Sequence, residues 1–496
     1  MRAREIIFYA LTVIAAVVAG LLAAHWPWGV PGEWQWPRRV IEFPRWWMPL
    51  PPSIALIAFS LWLLRRVRRG AKAAAIWALP LVLLAFMLQL STLAIAPAST
   101  VRAGAVILSP VATTYFTEAG KIRDMREFLG DYANRMRTFS QHAQTYPPGP
   151  IVFFWSVRQT VERSPAVQTM GAILVAAATG LAPADVAGAY ARLYGRPVTA
   201  PETVAAILSA WLLGLLGCAS IVPVFLLARD RWGDAAAVCA GALTAALPSL
   251  ILFTPSILQL VTLEAAVALY LFHLAWSRRS AAWGAAAGAM WAICMLTSLA
   301  MLAIAPVLVA WALIGRFGAR DQRWAGAWPR VAAAWIGGAL GVFVVAYMAL
   351  GINFPAIMHS ALSAHREVTT RAFARTYWRW LGWNLFDFWM FLGAGLGLWL
   401  LRQMWVETAA AARGHREALT PLLWALAATL VALDLSGVVR AEVGRIWMFL
   451  MPPAATAAAA YITSRQRPHL ALAIILAAQL AQIYAFQGCL ALLVVL

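Results

Sequence analysis

The stretch Ser60-Leu61-Trp62-Leu63-Leu64-Arg65-Arg66-Val67-Arg68-Arg69 decides the architecture of this chain. An apolar run over residues 50–64 stops at a cluster of arginines, and a second apolar run covers 73–96. Each is close to the length of a membrane-crossing helix. A short basic bridge between two such runs stays on the cytoplasmic side of a bilayer. The arrangement recurs at Arg229-Asp230-Arg231, at Arg278-Arg279, from Arg316 to Arg330 and from Arg465 to Arg467.

Composition agrees with that reading. The 496 residues are 62% hydrophobic and 12% charged, whereas a soluble domain carries about 25% charged residues. The formal net charge of +19 lies largely in the bridges. It therefore reports topology, and no nucleic-acid partner is expected. Apolar runs fall near 5–24, 50–64, 73–96, 149–162, 166–181, 203–228, 234–253, 256–276, 281–298, 299–315, 330–350, 384–402, 418–437, 444–463 and 469–494. They predict an all-α polytopic integral membrane protein with about 13–15 transmembrane helices, built as one membrane domain over 1–496. The first run resembles a secretory signal, but His25-Trp26-Pro27-Trp28 follows it instead of a small-residue cleavage site, so it reads as a retained helix. The four cysteines lie inside apolar runs, which implies neither a disulfide framework nor a metal site. The Ala-rich stretches at 331–335 and 454–460 read as close-packing helix faces.

With the bridges inside, the loops near 25–49, 97–148, 182–202, 351–383 and 438–443 fall outside. Two are long enough to hold structure. In 97–148, Met125, Phe128, Leu129, Tyr132, Met136 and Phe139 recur at helical spacing, with Asp124, Glu127, Asp131 and Arg135 opposite. This predicts an amphipathic helix on the outer membrane surface, with Arg123–Glu127 and Asp131–Arg135 pairs on its wet face. The loop 351–383 carries His359, His365, Arg366, Arg371 and Arg375, then Tyr377, Trp378, Trp380 and Trp383. Those aromatics, with Trp26, Trp28, Trp34, Trp36, Trp46 and Trp47, read as an interfacial belt.

Two stretches carry the chemistry. His142-Ala-Gln-Thr-Tyr146-Pro147-Pro148-Gly149-Pro150 ends the first large loop and opens an apolar helix. A proline-rich helix start aims backbone N–H groups and a positive dipole end at the membrane surface, a natural place for a lipid phosphate. About 290 residues later comes Gly437-Val-Val-Arg440-Ala-Glu442-Val-Gly-Arg445-Ile-Trp447-Met-Phe449, on the same outer side by alternation.

The pair of stretches and the large first loop resemble the C-type glycosyltransferase superfamily, membrane enzymes that take sugars from polyprenyl-phosphate donors. The closest likeness is to poorly characterised prokaryotic members with a His-x-x-x-His-Pro-Pro-Gly-Pro-like stretch and a late Gly-x-x-Arg-x-Glu-x-x-Arg-x-Trp-x-Phe-like stretch. Here Tyr146 replaces the second histidine. The resemblance implies a GT-C-like fold in a bacterial or archaeal-type cell membrane, with an active site on the extracytoplasmic side. It implies an inverting transfer of a sugar to a cell-envelope glycan or lipid; no residues stand at metal-ligand spacing, so no obligatory cofactor or structural metal is expected. A loosely bound divalent cation at the donor phosphate is compatible with it.

Such a reaction needs a base at the acceptor hydroxyl and cations for the departing phosphate. The superfamily commonly places an acidic residue early in the first loop, just before an aromatic. Here that stretch is Ser109-Pro110-Val111-Ala112-Thr113-Thr114-Tyr115-Phe116, without an acid. Glu118 and Asp124 are the replacement bases, and Asp185 and Glu202 the acids of a later loop. His142, Tyr146, Pro148, Gly149, Arg123, Arg440, Glu442 and Arg445 form the donor-phosphate set, and His359, His365 and Arg366 a weaker acceptor set. Blander readings stand beside these: a solvated helix face for Asp124, Glu127 and Asp131, and a local salt bridge for Glu442. Glu264, Asp387 and Asp434 lie inside apolar runs, where ionisable groups are costly. Three other functions fit less of the sequence: a lipid-glycan transporter, a non-catalytic lipid-sugar binder, and a lipid-linked glycan ligase working through arginine and histidine without a carboxylate base.

Overall fold

The computed structural model describes residues 3–39, 45–318, 328–368 and 375–492. Arg371 and residues 319–327 of one basic bridge lie outside them. Among the described residues nearly everything ordered is helix, and the named strands form one two-stranded ribbon, Gly29–Val30 against Trp34–Gln35. The chain is an all-α polytopic membrane protein.

Among the described residues, seven helices are long and apolar enough to cross a bilayer: Glu5–His25, Leu50–Arg68, Ala75–Leu93, Ala200–Trp232, Leu258–Ser277, Trp328–Leu350 and Pro468–Cys489. Two further pairs qualify only together and are sharply bent, Pro165–Thr179 with Pro183–Tyr194 by 74° and Tyr377–Leu392 with Ala394–Ala412 by 111°. Six shorter apolar helices stand among them, including Ala281–Thr297, Pro421–Ser436 and Met448–Thr463. The apolar runs of the sequence thus divide into full spans, broken spans and shorter apolar helices.

Side chains sort as a lipid solvent demands. Ile14 and Val17 on the first helix and Val344, Val345 and Met348 on Trp328–Leu350 are exposed, while Gln89, Gln259, Gln479 and Gln482 are buried. The buried glutamines have a specific task. Where a helix breaks inside the bundle, backbone groups lose their partners and water cannot replace them. Gln89 Nε2 and Gln259 Nε2 donate to Leu250 O at 2.7 and 2.8 Å, beside the break at 253–257. Gln482 Nε2 donates to Met390 O at 2.6 Å and its Oε1 accepts from Ala394 N at 2.9 Å, across the 111° bend. Small residues let other helices meet closely: a methyl added at Gly284 would lie 3.0 Å from Val331 O and 3.3 Å from Ala334 Cβ. The 331–335 and 454–460 stretches do pack closely, with Ala454, Ala455 and Ala457 to Ala459 buried.

The first large loop departs from a single surface helix. Its amphipathic segment forms two short helices, Met125–Gly130 and Tyr132–Arg135, and a 3-10 turn at Met136–Thr138. The expected apolar face is real, but Phe128, Leu129, Tyr132 and Met136 are buried by protein. The helix Phe354–Glu367 of the second loop packs on this unit. Asp131 pairs with Arg135 at 3.1 Å as expected, whereas Glu127 takes Arg135 at 2.5 Å instead of Arg123. The aromatic belt also divides. Trp26, Trp46, Trp47 and Trp378 are exposed, but Trp28, Trp36 and Trp380 are core residues. Composition cannot separate an anchoring indole from a packed one.

Gln482→Leu keeps volume but strands a carbonyl and an N–H in the bundle. It should destabilise the protein by about 2 kcal/mol or more, read as a lower thermal unfolding midpoint in detergent. An unchanged midpoint would show that the bend needs no such partner.

Candidate functional site

The turn Gly437–Trp447 follows the helix Pro421–Ser436, which ends at Gly437 with φ +59°. Ala441 and Glu442 then adopt φ of +81° and +58°. Two consecutive non-glycine residues in the left-handed region cost on the order of 1–2 kcal/mol each, so something must hold them. Asn384 Oδ1 accepts from Ala441 N at 3.2 Å while its Nδ2 donates to Val439 O at 3.0 Å and to Asp434 Oδ1 at 3.1 Å. Asp387 Oδ2 accepts from Gly444 N at 2.7 Å, and its Oδ1 takes Trp36 Nε1 at 2.9 Å. The intramembrane acids Asp387 and Asp434 therefore fix the turn. Glu264 does something else, accepting from Thr297 Oγ1 at 2.9 Å between two helices.

The turn delivers Arg440, Glu442 and Arg445 to a cavity of about 760 Å³. Arg445 pairs with Glu442, and Arg375 approaches the same carboxylate at 3.9 Å. Arg375 and Arg440 each donate to the other's backbone carbonyl, which locks two guanidinium groups side by side. Arg440 also donates from Nε to Gly437 O at 3.0 Å and lies 5.7 Å from the Tyr377 ring centre. Arg375 lies 5.9 Å from the ring of Trp34. The ribbon bearing Trp34 is tied down by Glu33, which accepts from Thr376 N and Trp380 Nε1 at 2.8 Å each and pairs with Arg379 at 3.4 Å. Burial raises the Glu33 pKa, but those donors and Arg379 outweigh it and hold the carboxyl below its ordinary range.

His142, Tyr146 and His365 line the same cavity. His365 Nε2 lies 2.8 Å from Val438 O. His142 presents its surface to the cavity. Enclosure by the walls and then the Arg445 charge lower its pKa, against a smaller opposing pull from Glu442. The shift favours the neutral ring. The rest of the lining includes an apolar set, Phe253, Ile257, Leu258, Leu299, Leu302 and Pro306, in and just before the starts of the helices Leu258–Ser277 and Ile304–Gly318.

The nominated residues therefore separate. His142, Tyr146, Arg440, Glu442, Arg445 and His365 come together. Glu118 and Asp124 do not line the cavity. Glu118 is buried and pairs with Lys121 at 2.8 Å. Asp124 is an exposed helix cap that accepts from Glu127 N at 2.8 Å. Arg123, His359 and Arg366 are exposed and away from the lining. Pro148 and Gly149 start their helix as read, yet against protein: a methyl at Gly149 would sit 2.7 Å from Leu296 O and 2.8 Å from Thr297 Cα. Glu202 is occupied by Arg158 at 3.2 Å and Arg196 at 3.1 Å. Val111, Ala112, Thr113 and Tyr115 line the cavity, so the stretch without an acid does reach it. Among the described lining residues, Glu442 is the one carboxylate, and no group of three metal-binding side chains gathers among the described residues. Sequence reasoning missed Arg375, Trp34, Trp36 and Ser298 as lining residues. The available signal was an acid, Glu33, set among the tryptophans of an assumed belt.

No protein-family model matches this chain, and no curated protein does. Among solved structures, the chain is similar to the oligosaccharyltransferase of Archaeoglobus fulgidus in complex with zinc and sulfate, with TM-score 0.41 and 15% identity over 76% of this chain and 53% of that one. The apo form of the same enzyme gives TM-score 0.40 and 13% identity over 75% of this chain and 56% of that one. The chain spans about half the length of that enzyme.

Asn384→Ala removes the two hydrogen bonds that Asn384 makes to the backbone of the left-handed turn. It should lower stability by about 1–3 kcal/mol and make the backbone of residues 438–444 exchange amide hydrogens faster. Unchanged exchange there would mean that the turn holds itself.

Proposed function

We propose that this cavity binds a polyprenyl-phosphate-linked sugar and that the chain transfers the sugar to an extracytoplasmic glycan or lipid acceptor. The observation that supports this best is the meeting of three guanidinium groups with an apolar wall in one cavity. A lipid phosphate has that polarity. Arginine presents paired N–H donors that match phosphate oxygens, stays charged, and sheds water more readily than lysine. Cations fixed where negative charge develops also stabilise a departing phosphate. In the transfer, the acceptor oxygen bonds to the anomeric carbon while the carbon–oxygen bond to phosphate breaks, its electron pair leaving on the polyprenyl phosphate.

The proton of the acceptor hydroxyl needs a recipient. Glu118 and Asp124 stand outside the cavity, so the role falls to Glu442 or to the neutral His142. Glu442 is held by Arg445, and an adjacent cation weakens a carboxylate as a base. Phosphate binding to Arg445 would release it. That pairing also favours a second reading, a lipid-linked glycan ligase that uses arginine and histidine without a carboxylate base. The extracytoplasmic placement is supported by the helix Leu258–Ser277, which starts at the cavity and runs into the basic pair Arg278-Arg279.

Arg440→Gln and Arg445→Gln should each weaken binding of a polyprenyl phosphate about tenfold or more. Wild-type affinity in both would contradict the proposal. Glu442→Gln separates the two readings, since lost transfer with retained phosphate binding assigns the base and retained transfer favours the ligase.

His142 supplies a pH signature. Because its pKa is lowered from 6.5, it gains a proton only below neutrality, and a bound phosphate favours that proton. Affinity for a phosphodiester-linked donor, whose own charge is constant, should rise as pH falls from 7.5 to 5.5. His142→Gln should flatten the rise; an equal rise in the variant would remove His142 from the phosphate's surroundings.

A further inference from the structure

The end of the helix Leu50–Arg68 holds a second concavity, of about 650 Å³, whose lining includes Ala58, Leu61, Trp62, Arg65, Arg66 and Arg69. The Arg66 guanidinium lies 5.4 Å from the ring centre of Trp62 and 5.3 Å from that of Trp77, and those rings are 5.6 Å apart. One cation thereby lies against a pair of adjoining indoles. Arg65, Arg66, Arg68, Arg69 and Lys72 are all exposed, and among the described residues none of them pairs with a carboxylate. The basic bridge at 229–231 behaves differently, because Arg229 pairs with its own neighbour Asp230 at 3.3 Å.

Membrane topology requires basic residues beside a span. It does not require that one of them be clamped by aromatic rings at the lip of a pocket. The neighbouring surface is apolar, with Trp62 and Ile54 exposed to 44% and 65%, about one and three turns up the helix from Arg66. We propose that this pocket is a binding site for the phosphate headgroup of an anionic phospholipid. Arg65, Arg66 and Arg69 would hold the phosphate, and the acyl chains would run along Ala58 and Ile54. Guanidinium groups bind phosphate through paired donors, and unpaired basic clusters next to a span attract anionic lipid headgroups. The pocket and the central cavity share no lining residue, so this site stands apart from the proposed transfer.

The test uses the full chain, purified and delipidated, titrated with short-chain phosphatidylglycerol and compared with phosphatidylcholine and inorganic phosphate. Phosphatidylglycerol should bind in preference to both. The triple variant Arg65→Gln, Arg66→Gln, Arg69→Gln should lose roughly a hundredfold in phosphatidylglycerol affinity, at about 1 kcal/mol per arginine. Trp62→Ala keeps every charge, and with it the topology, yet removes one of the two rings against Arg66; it should lose about threefold. Wild-type lipid affinity in either variant overturns the site, and Trp62→Ala decides alone if the triple variant does not fold. Inorganic phosphate binding as tightly as the lipid would also overturn it, because the pocket would then recognise phosphate without its chains.

Discussion

The cavity depends on how Asn384 and Asp387 hold the turn at Ala441 and Glu442. A turn with two left-handed non-glycine residues is unfavourable alone, and this one also carries two arginines toward a third. The amide of Asn384 and the carboxylate of Asp387 bind its backbone from inside the bundle, at Val439, Ala441 and Gly444. Local strain of this kind persists only when its surroundings over-determine it. Asp387 also fixes Trp36 in the cavity wall, so one buried carboxylate positions both the aromatic side and the basic side.

Converging guanidinium groups repel one another, and the arrangement answers that repulsion within the site. Arg375 and Arg440 donate to each other's carbonyl oxygens, Arg445 takes Glu442, and Tyr377 and Trp34 lie against the cationic faces. More cations than carboxylates line the cavity, which favours an anionic guest. The same economy runs through the helical bundle, where glutamines satisfy the backbone at the breaks near 253–257 and 393. The cavity therefore joins a basic end to a lipid-like wall, and the proposed ligand class follows from that join.

Much of this was legible in the sequence, and the boundary is physical. Helical apolar runs and basic bridges follow from hydropathy alone, so the polytopic fold was readable from stretches such as 50–72. His142, Tyr146, Arg440, Glu442 and Arg445 lie in two short stretches with unusual residue combinations, and the fold brings them together. Glu118 and Asp124 were nominated because they are charged and close in sequence to the loop's missing acid. Their side chains are used locally, by Lys121 and by the N–H of Glu127, and sequence distance carries no information about that. Arg375 and Trp34 join the site through long-range contacts that no local pattern encodes. The Pro-Pro-Gly-Pro start packs against protein, where Gly149 leaves room for the close approach of Leu296 O.

The most direct test is an experimental structure of the full chain with polyprenyl phosphate bound. Phosphate density is expected between Arg375, Arg440 and Arg445, with the lipid chain leaving along Ile257, Leu299 and Leu302 and the Arg445–Glu442 pair opened. Phosphate bound away from those arginines, or at them with the lipid tail directed elsewhere, would contradict the proposed site.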